Sequence, residues 1–85
     1  MRQQQQTEAK MPLQKAELRA LFAWVDDRLM VESCDYTLRH TEAFLQARGL
    51  PVEAVKVWLQ EYGGYCDCEV IGNVEEAWGE IVGRI

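Results

Sequence analysis

Glycine and proline punctuation constrains this chain more than any other feature. Pro12, Gly49-Leu50-Pro51, Gly63-Gly64, Gly72 and Gly83 cut it into pieces of helix length. Proline suits the first turn of a helix and glycine the left-handed position just past its end, so these residues read as starts and stops. After Pro12, Leu18, Leu21, Phe22, Val25 and Leu29 recur at i, i+3, i+4, i+7 and i+11, one face of a helix, with Glu17, Asp26, Asp27 and Arg28 on the other. Ser33 or Asp35 is the expected cap of a second helix with Thr37, Leu38, Thr41, Phe44 and Leu45 inward and Gly49 as its stop. Pro51 opens a third, with Val52, Val55, Leu59 and Tyr62 on one face and Trp58 beside it, ending at Gly63-Gly64. The tight joint at Gly49-Leu50-Pro51 predicts a helical hairpin.

From Tyr65 to Ile71 the pattern changes. Thiol and carboxylate alternate over Cys66, Asp67, Cys68 and Glu69, which suits a short extended segment with both sulfurs on one face. Asn73 and Glu76 then resemble a capping box, followed by Val74, Ala77, Trp78, Ile81 and Val82 at helix spacing. The expected fold is mainly α: a compact four-helix domain over residues 11–85 with one short strand or β-turn segment near 65–71. Leu29 to Glu32 is the only candidate strand partner. Residues 1–10, polar and carrying the run Gln3 to Gln6, read as a flexible tail without the apolar stretch of a secretory signal.

Charge narrows the partners. Nine Lys and Arg stand against fourteen Asp and Glu, a net charge of -5, which disfavours nucleic acid and anionic membranes as main partners. The longest apolar run, Ala20 to Val25, is far short of the roughly 20 residues of a membrane span. Residues 1–49 balance at seven basic and seven acidic side chains, whereas residues 50–85 hold two and seven. Glu53, Glu61, Glu75, Glu76 and Glu80 therefore form a candidate docking face for a basic protein, with an ordinary solvated surface as the plainer alternative. A helix-turn-helix reader of DNA fails on the same charge, since Glu53, Gln60 and Glu61 would face the phosphates.

The chemistry available is sulfur chemistry. Three cysteines, Cys34, Cys66 and Cys68, with no secretory signal point to a reducing, cytoplasmic compartment rather than a disulfide framework. With the single imidazole, His40, they make up a zinc ligand set by count, although one residue between Cys66 and Cys68 is not finger spacing. Asp35, Asp67 and Glu69 are neighbouring oxygens. Two other readings stay open at this point: a reactive thiol at Cys34, ahead of a helix N-terminus that favours thiolate, and three cysteines simply buried as small hydrophobes.

Cys34-Asp35-Tyr36-Thr37-Leu38-Arg39-His40-Thr41, Phe44-Leu45, Trp58-Leu59, Gly63-Gly64-Tyr65-Cys66-Asp67-Cys68-Glu69-Val70 and Asn73-Val74 together resemble the bacterial domain-of-unknown-function family 2695, over roughly residues 30–76. The resemblance implies a small bacterial cytoplasmic protein marked by its thiols and their acidic neighbours, and no activity. It further implies His at the position of Tyr36 in many members, so that this chain lacks one candidate fourth ligand and His40 is left as the substitute. The expected function is a non-enzymatic interaction or regulatory module with a clustered-cysteine, zinc-type site. The alternatives are a thiol-dependent redox or metal-handling protein using Cys34 and an acidic inhibitor-type binding protein. The protein partner and oligomeric state are not fixed by the sequence.

Overall fold

The computed structural model describes residues 12–83, so the tail expected over residues 1–10 lies outside the described residues. Four helices pack around one core. Helix α1 spans Lys15–Val31, α2 spans Arg39–Ala47 and α3 spans Val52–Glu61. Helix α4 is compound: α-helical Asp67–Glu69, a π-helical turn Val70–Val74 and α-helical Glu75–Val82.

The apolar stripe of α1 does what its spacing predicts. Leu18, Leu21, Phe22 and Val25 are fully buried and Leu29 packs partly against them. Leu45 of α2, Val55 and Leu59 of α3, and Val70 and Val74 of α4 meet that stripe with no exposed surface. Each such side chain removed from water contributes about 1.5–3 kcal/mol before entropy is counted. The stops hold as well. Gly49 and Gly63 sit at φ +69° and +85°, the left-handed positions that close α2 and α3. Gly64 is fixed by contact instead: a Cβ there would lie 2.8 Å from Val74 Cγ2 and 3.1 Å from the carbonyl of Leu59.

Three local expectations are corrected. No strand occurs among the described residues, and residues 65–71 turn into the start of α4. Only Cys66 is extended (φ −146°, ψ 169°); its carbonyl accepts from the amides of Glu69 and Val70 at 3.0 Å, which starts a helix. The expected strand partner fails too, because Leu29 to Val31 remain in α1. Second, α2 begins at Arg39, not after Ser33 or Asp35, and Thr37 is exposed ahead of it. Third, Asn73 caps nothing; it lies inside the π turn and its Nδ2 donates to the carbonyl of Gly63 at 3.0 Å.

The π turn also rotates the last helix. The amide of Glu75 reaches the carbonyl of Val70, five residues back, so this turn holds an extra residue. Beyond it the inward positions become Val74, Glu75, Trp78, Gly79 and Val82, while Ala77 and Ile81 face solvent. Plain helix spacing had placed Ala77 and Ile81 inside.

Candidate functional site

Two helix starts meet at one point. The backbone amides that open an α-helix have no partner within it and must find one elsewhere. Helix α2 has no capping side chain of its own at Leu38. Its partner is Asp67, 26 residues further on, whose carboxylate accepts from the amide of His40 at 2.9 Å, the amide of Thr41 at 3.0 Å and the Thr41 hydroxyl at 2.8 Å. Asp67 is fully buried. The favour is returned by the loop before α2. The carbonyl of Thr37 accepts from the amide of Asp67 at 2.9 Å, and Cys34 Sγ accepts from the amide of Cys68 at 3.4 Å. The starts of α2 and α4 therefore cap each other.

This reciprocal capping is what gathers the sulfurs. Cys34 comes from the loop, Cys66 from the extended residue before α4 and Cys68 from its first turn. Their Sγ atoms all lie within 4.8 Å of one another, and those of Cys66 and Cys68 are 3.3 Å apart. Cys66 is buried, Cys34 intermediate and Cys68 exposed, so the group opens to solvent on one side. Tyr36 sits in the left-handed region at φ +68°, unusual for a bulky residue, and this aims its amide at Cys34 Sγ, 3.3 Å away.

The three thiols are electrostatically unequal. Burial would raise the Cys34 thiol, but the amides of Cys68 and Tyr36 and the two neighbouring thiols donate to it and hold it below its ordinary value. The low value was expected from the N-terminus of α2; the donors belong instead to α4 and to Tyr36. Cys68 goes the other way, pushed up to about 12 because its thiol donates to Cys66 and Cys34 and would share its surroundings with their charge.

His40 stands apart from the sulfurs. It is buried, its ring packs edge-on against Trp24 with centroids 6.1 Å apart, and its Nε2 lies 3.5 Å from Glu32 Oε1 without forming a hydrogen bond. The group of ligand atoms within 4.8 Å comprises Cys34, Cys66 and Cys68, and His40 is not in it. The nearby carboxylates are committed elsewhere. Asp35 accepts from the Thr37 hydroxyl and amide and pairs with Arg39 Nε at 3.2 Å; Glu69 accepts from the amide of Tyr65 at 3.1 Å. Of the acidic docking residues, Glu53, Glu61, Glu76 and Glu80 are exposed. Glu75 is buried by the extra residue of the π turn and so cannot belong to a solvent-facing surface.

Sequence reading found every sulfur but missed Thr37, Tyr36 and Thr41, whose backbone and hydroxyl groups arrange them. No local signal marks Thr37 and Thr41, which act on Asp67 through the fold, and Tyr36 acts on Cys34 only through a left-handed backbone that its residue type does not announce.

A four-helix domain with a three-cysteine group at a helix–helix junction is the class that fold and site define. The chain belongs to the family described as "Protein of unknown function (DUF2695)", whose model matches residues 21–73. That match starts within α1, earlier than the motif residues alone suggest. Uncharacterized proteins of Mycobacterium tuberculosis and Mycobacterium bovis are 40% identical over 67 residues, covering 79% of this chain and 68% of theirs. No solved structure matches the chain. Among the described residues, no helix is long and apolar enough to cross a membrane.

Proposed function

We propose that the chain is a non-enzymatic interaction or regulatory module whose Cys34, Cys66 and Cys68 hold a thiophilic divalent ion, zinc by default, in a reducing, cytoplasmic compartment. The observation that carries this reading is the convergence of three sulfurs from segments about thirty residues apart, all within 4.8 Å. A tetrahedral zinc with Zn–S near 2.3 Å places its sulfurs about 3.8 Å apart, inside the range from the 3.3 Å Cys66–Cys68 separation to that limit. A bound ion would offset most of the charge of the clustered thiolates and tie the loop before α2 to the start of α4. For 85 residues such a staple is worth having, because a core this small supplies few net kcal/mol.

Native mass spectrometry of protein purified without chelator tests this directly. A zinc-sized increment that disappears in Cys34→Ser is expected. Apo mass together with melting unchanged by strong chelator would end the proposal. The pH dependence has a definite sign. With Cys68 pushed up to about 12, its proton must leave on metal uptake, so apparent affinity rises with pH by about tenfold per unit for each proton displaced.

A second reading has its own support in the two amides aimed at Cys34 Sγ, which suit a reactive thiolate. Alkylation of Cys34 in the folded apo protein well ahead of Cys66 and Cys68 would favour it. Equal, slow labelling of all three would remove it.

A further inference from the structure

The sulfur group supplies three ligands to an ion that takes four. The whole chain holds three cysteines and one histidine, so once the three thiols are used only His40 could add a thiol or imidazole donor. His40 is buried against Trp24 and faces Glu32. The oxygens nearest in sequence are spoken for as well: Asp67 by the amides of α2, Glu69 by Tyr65, and Asp35 by Thr37 and Arg39. The group is reachable from solvent, since Cys68 is exposed and Cys34 only partly buried. Two exposed rings, Tyr36 and Tyr65 at 83% and 61%, lie within two residues of Cys34 and beside Cys66 in the chain.

We propose that the Cys34–Cys66–Cys68 site completes its divalent ion with a neutral imidazole from outside the chain, either a free imidazole compound or a histidine on a partner protein. This rests on the metal reading above. Charge selects the donor class. Three thiolates on a divalent ion already leave a net charge of −1, in a chain of net charge -5 with Asp35, Asp67 and Glu69 close by in sequence. A fourth anion would add repulsion at short range, whereas an imidazole adds none and completes a three-cysteine, one-histidine tetrahedron.

The experiment uses the full chain loaded with one equivalent of Co(II), whose thiolate charge-transfer absorption reports sulfur ligation and whose visible bands report the coordination sphere. Imidazole should shift the visible bands saturably while the charge-transfer intensity at one equivalent is kept. Acetate should need at least about a tenfold higher concentration for the same change, a discrimination of about 1.4 kcal/mol. Free histidine and a histidine-bearing peptide, run side by side, separate the two sources by their half-saturation. Visible bands indifferent to imidazole, or a stronger response to acetate, overturn the inference while the charge-transfer band leaves the metal reading standing. Loss of the unliganded spectrum in His40→Gln would also overturn it, by showing that His40 already fills the place. Absence of any thiolate charge transfer removes the metal reading itself, and this inference with it.

Discussion

The two ends of α4 sit in opposite kinds of surroundings. Its later half joins α3 in an aromatic hub: Trp58, Tyr62 and Trp78 stack with centroids 5.0, 5.2 and 5.8 Å apart. Its start joins α2 through Asp67, Thr37 and the sulfurs, by directed hydrogen bonds of which those from α2 to the Asp67 carboxylate are buried. The hub is held by buried area and should tolerate approximate fits. The junction is held by direction. A buried amide that loses its acceptor forfeits the full desolvation penalty, about 1–3 kcal/mol, so the junction should tolerate almost no substitution.

Asp67→Ala is the hardest blow to that contrast. It strips two buried amides and the Thr41 hydroxyl of their acceptor, and urea denaturation should show a loss of about 3 kcal/mol or more. Asp67→Asn, nearly the same shape, should still lose about 2 kcal/mol, because its amide group would face a donor. A loss below about 1 kcal/mol in both would dissolve the distinction between the two ends.

Gly64 lies between the regions and comes next. A methyl group there meets Val74 at 2.8 Å and Val70 at 3.3 Å, so Gly64→Ala should cost about 2 kcal/mol, read from the shift in denaturation midpoint. Trp78→Phe sharpens the comparison from the other side. It keeps a ring in the hub and should lose only about 1 kcal/mol, less than Asp67→Asn although more atoms are removed. If the order reversed, area rather than direction would govern both ends.

The smallest effect concerns the exposed loop. The Thr37 hydroxyl, its amide and Arg39 hold the Asp35 carboxyl below its usual value. A carboxylate with a lowered folded pKa contributes stability that is fully present above the unfolded value near ~3.9 and lost as pH falls through the folded one. Asp35→Asn should therefore lower the neutral plateau of a stability–pH curve slightly, flatten its acid limb below about pH 4 and leave the stability at the acid end close to unchanged. The ion pairs around it, Arg39 with Glu32 at 3.2 Å and Arg28 with Glu32 at 3.8 Å, are solvent-screened and should add little.

The apolar core of α1 and α3 was legible in advance. Leu18, Leu21, Phe22 and Val25 announce a buried face by spacing alone, and Val55, Trp58 and Leu59 do the same in α3. The junction was half legible. Cys34, Cys66 and Cys68 were visible as residue types, but residues 65–71 read as a short strand or β-turn segment because alternation of thiol and carboxylate has period two. The helix wins there because the amides of Asp67 and Cys68 find acceptors on a loop some thirty residues away. The face of α4 was misread for a related reason: one extra residue in the π turn shifts every later position, and period arithmetic assumes a uniform helix.

The sequence by itself determined the number of helices, where α3 starts, where α2 and α3 stop and which faces of α1 and α3 turn inward, because these follow from backbone conformations and apolar spacing within a few residues. Helix α1 starts at Lys15 on a Gln14 cap, three residues past Pro12, which the sequence places in its opening turn. Only the tertiary structure decided that the Asp67 carboxylate caps α2, that His40 faces Glu32 and Trp24, and that three sulfurs share one opening. Those outcomes depend on polar groups finding partners 26–34 residues away. A hydrogen bond is satisfied by position and angle, and neither is encoded by neighbours along the chain.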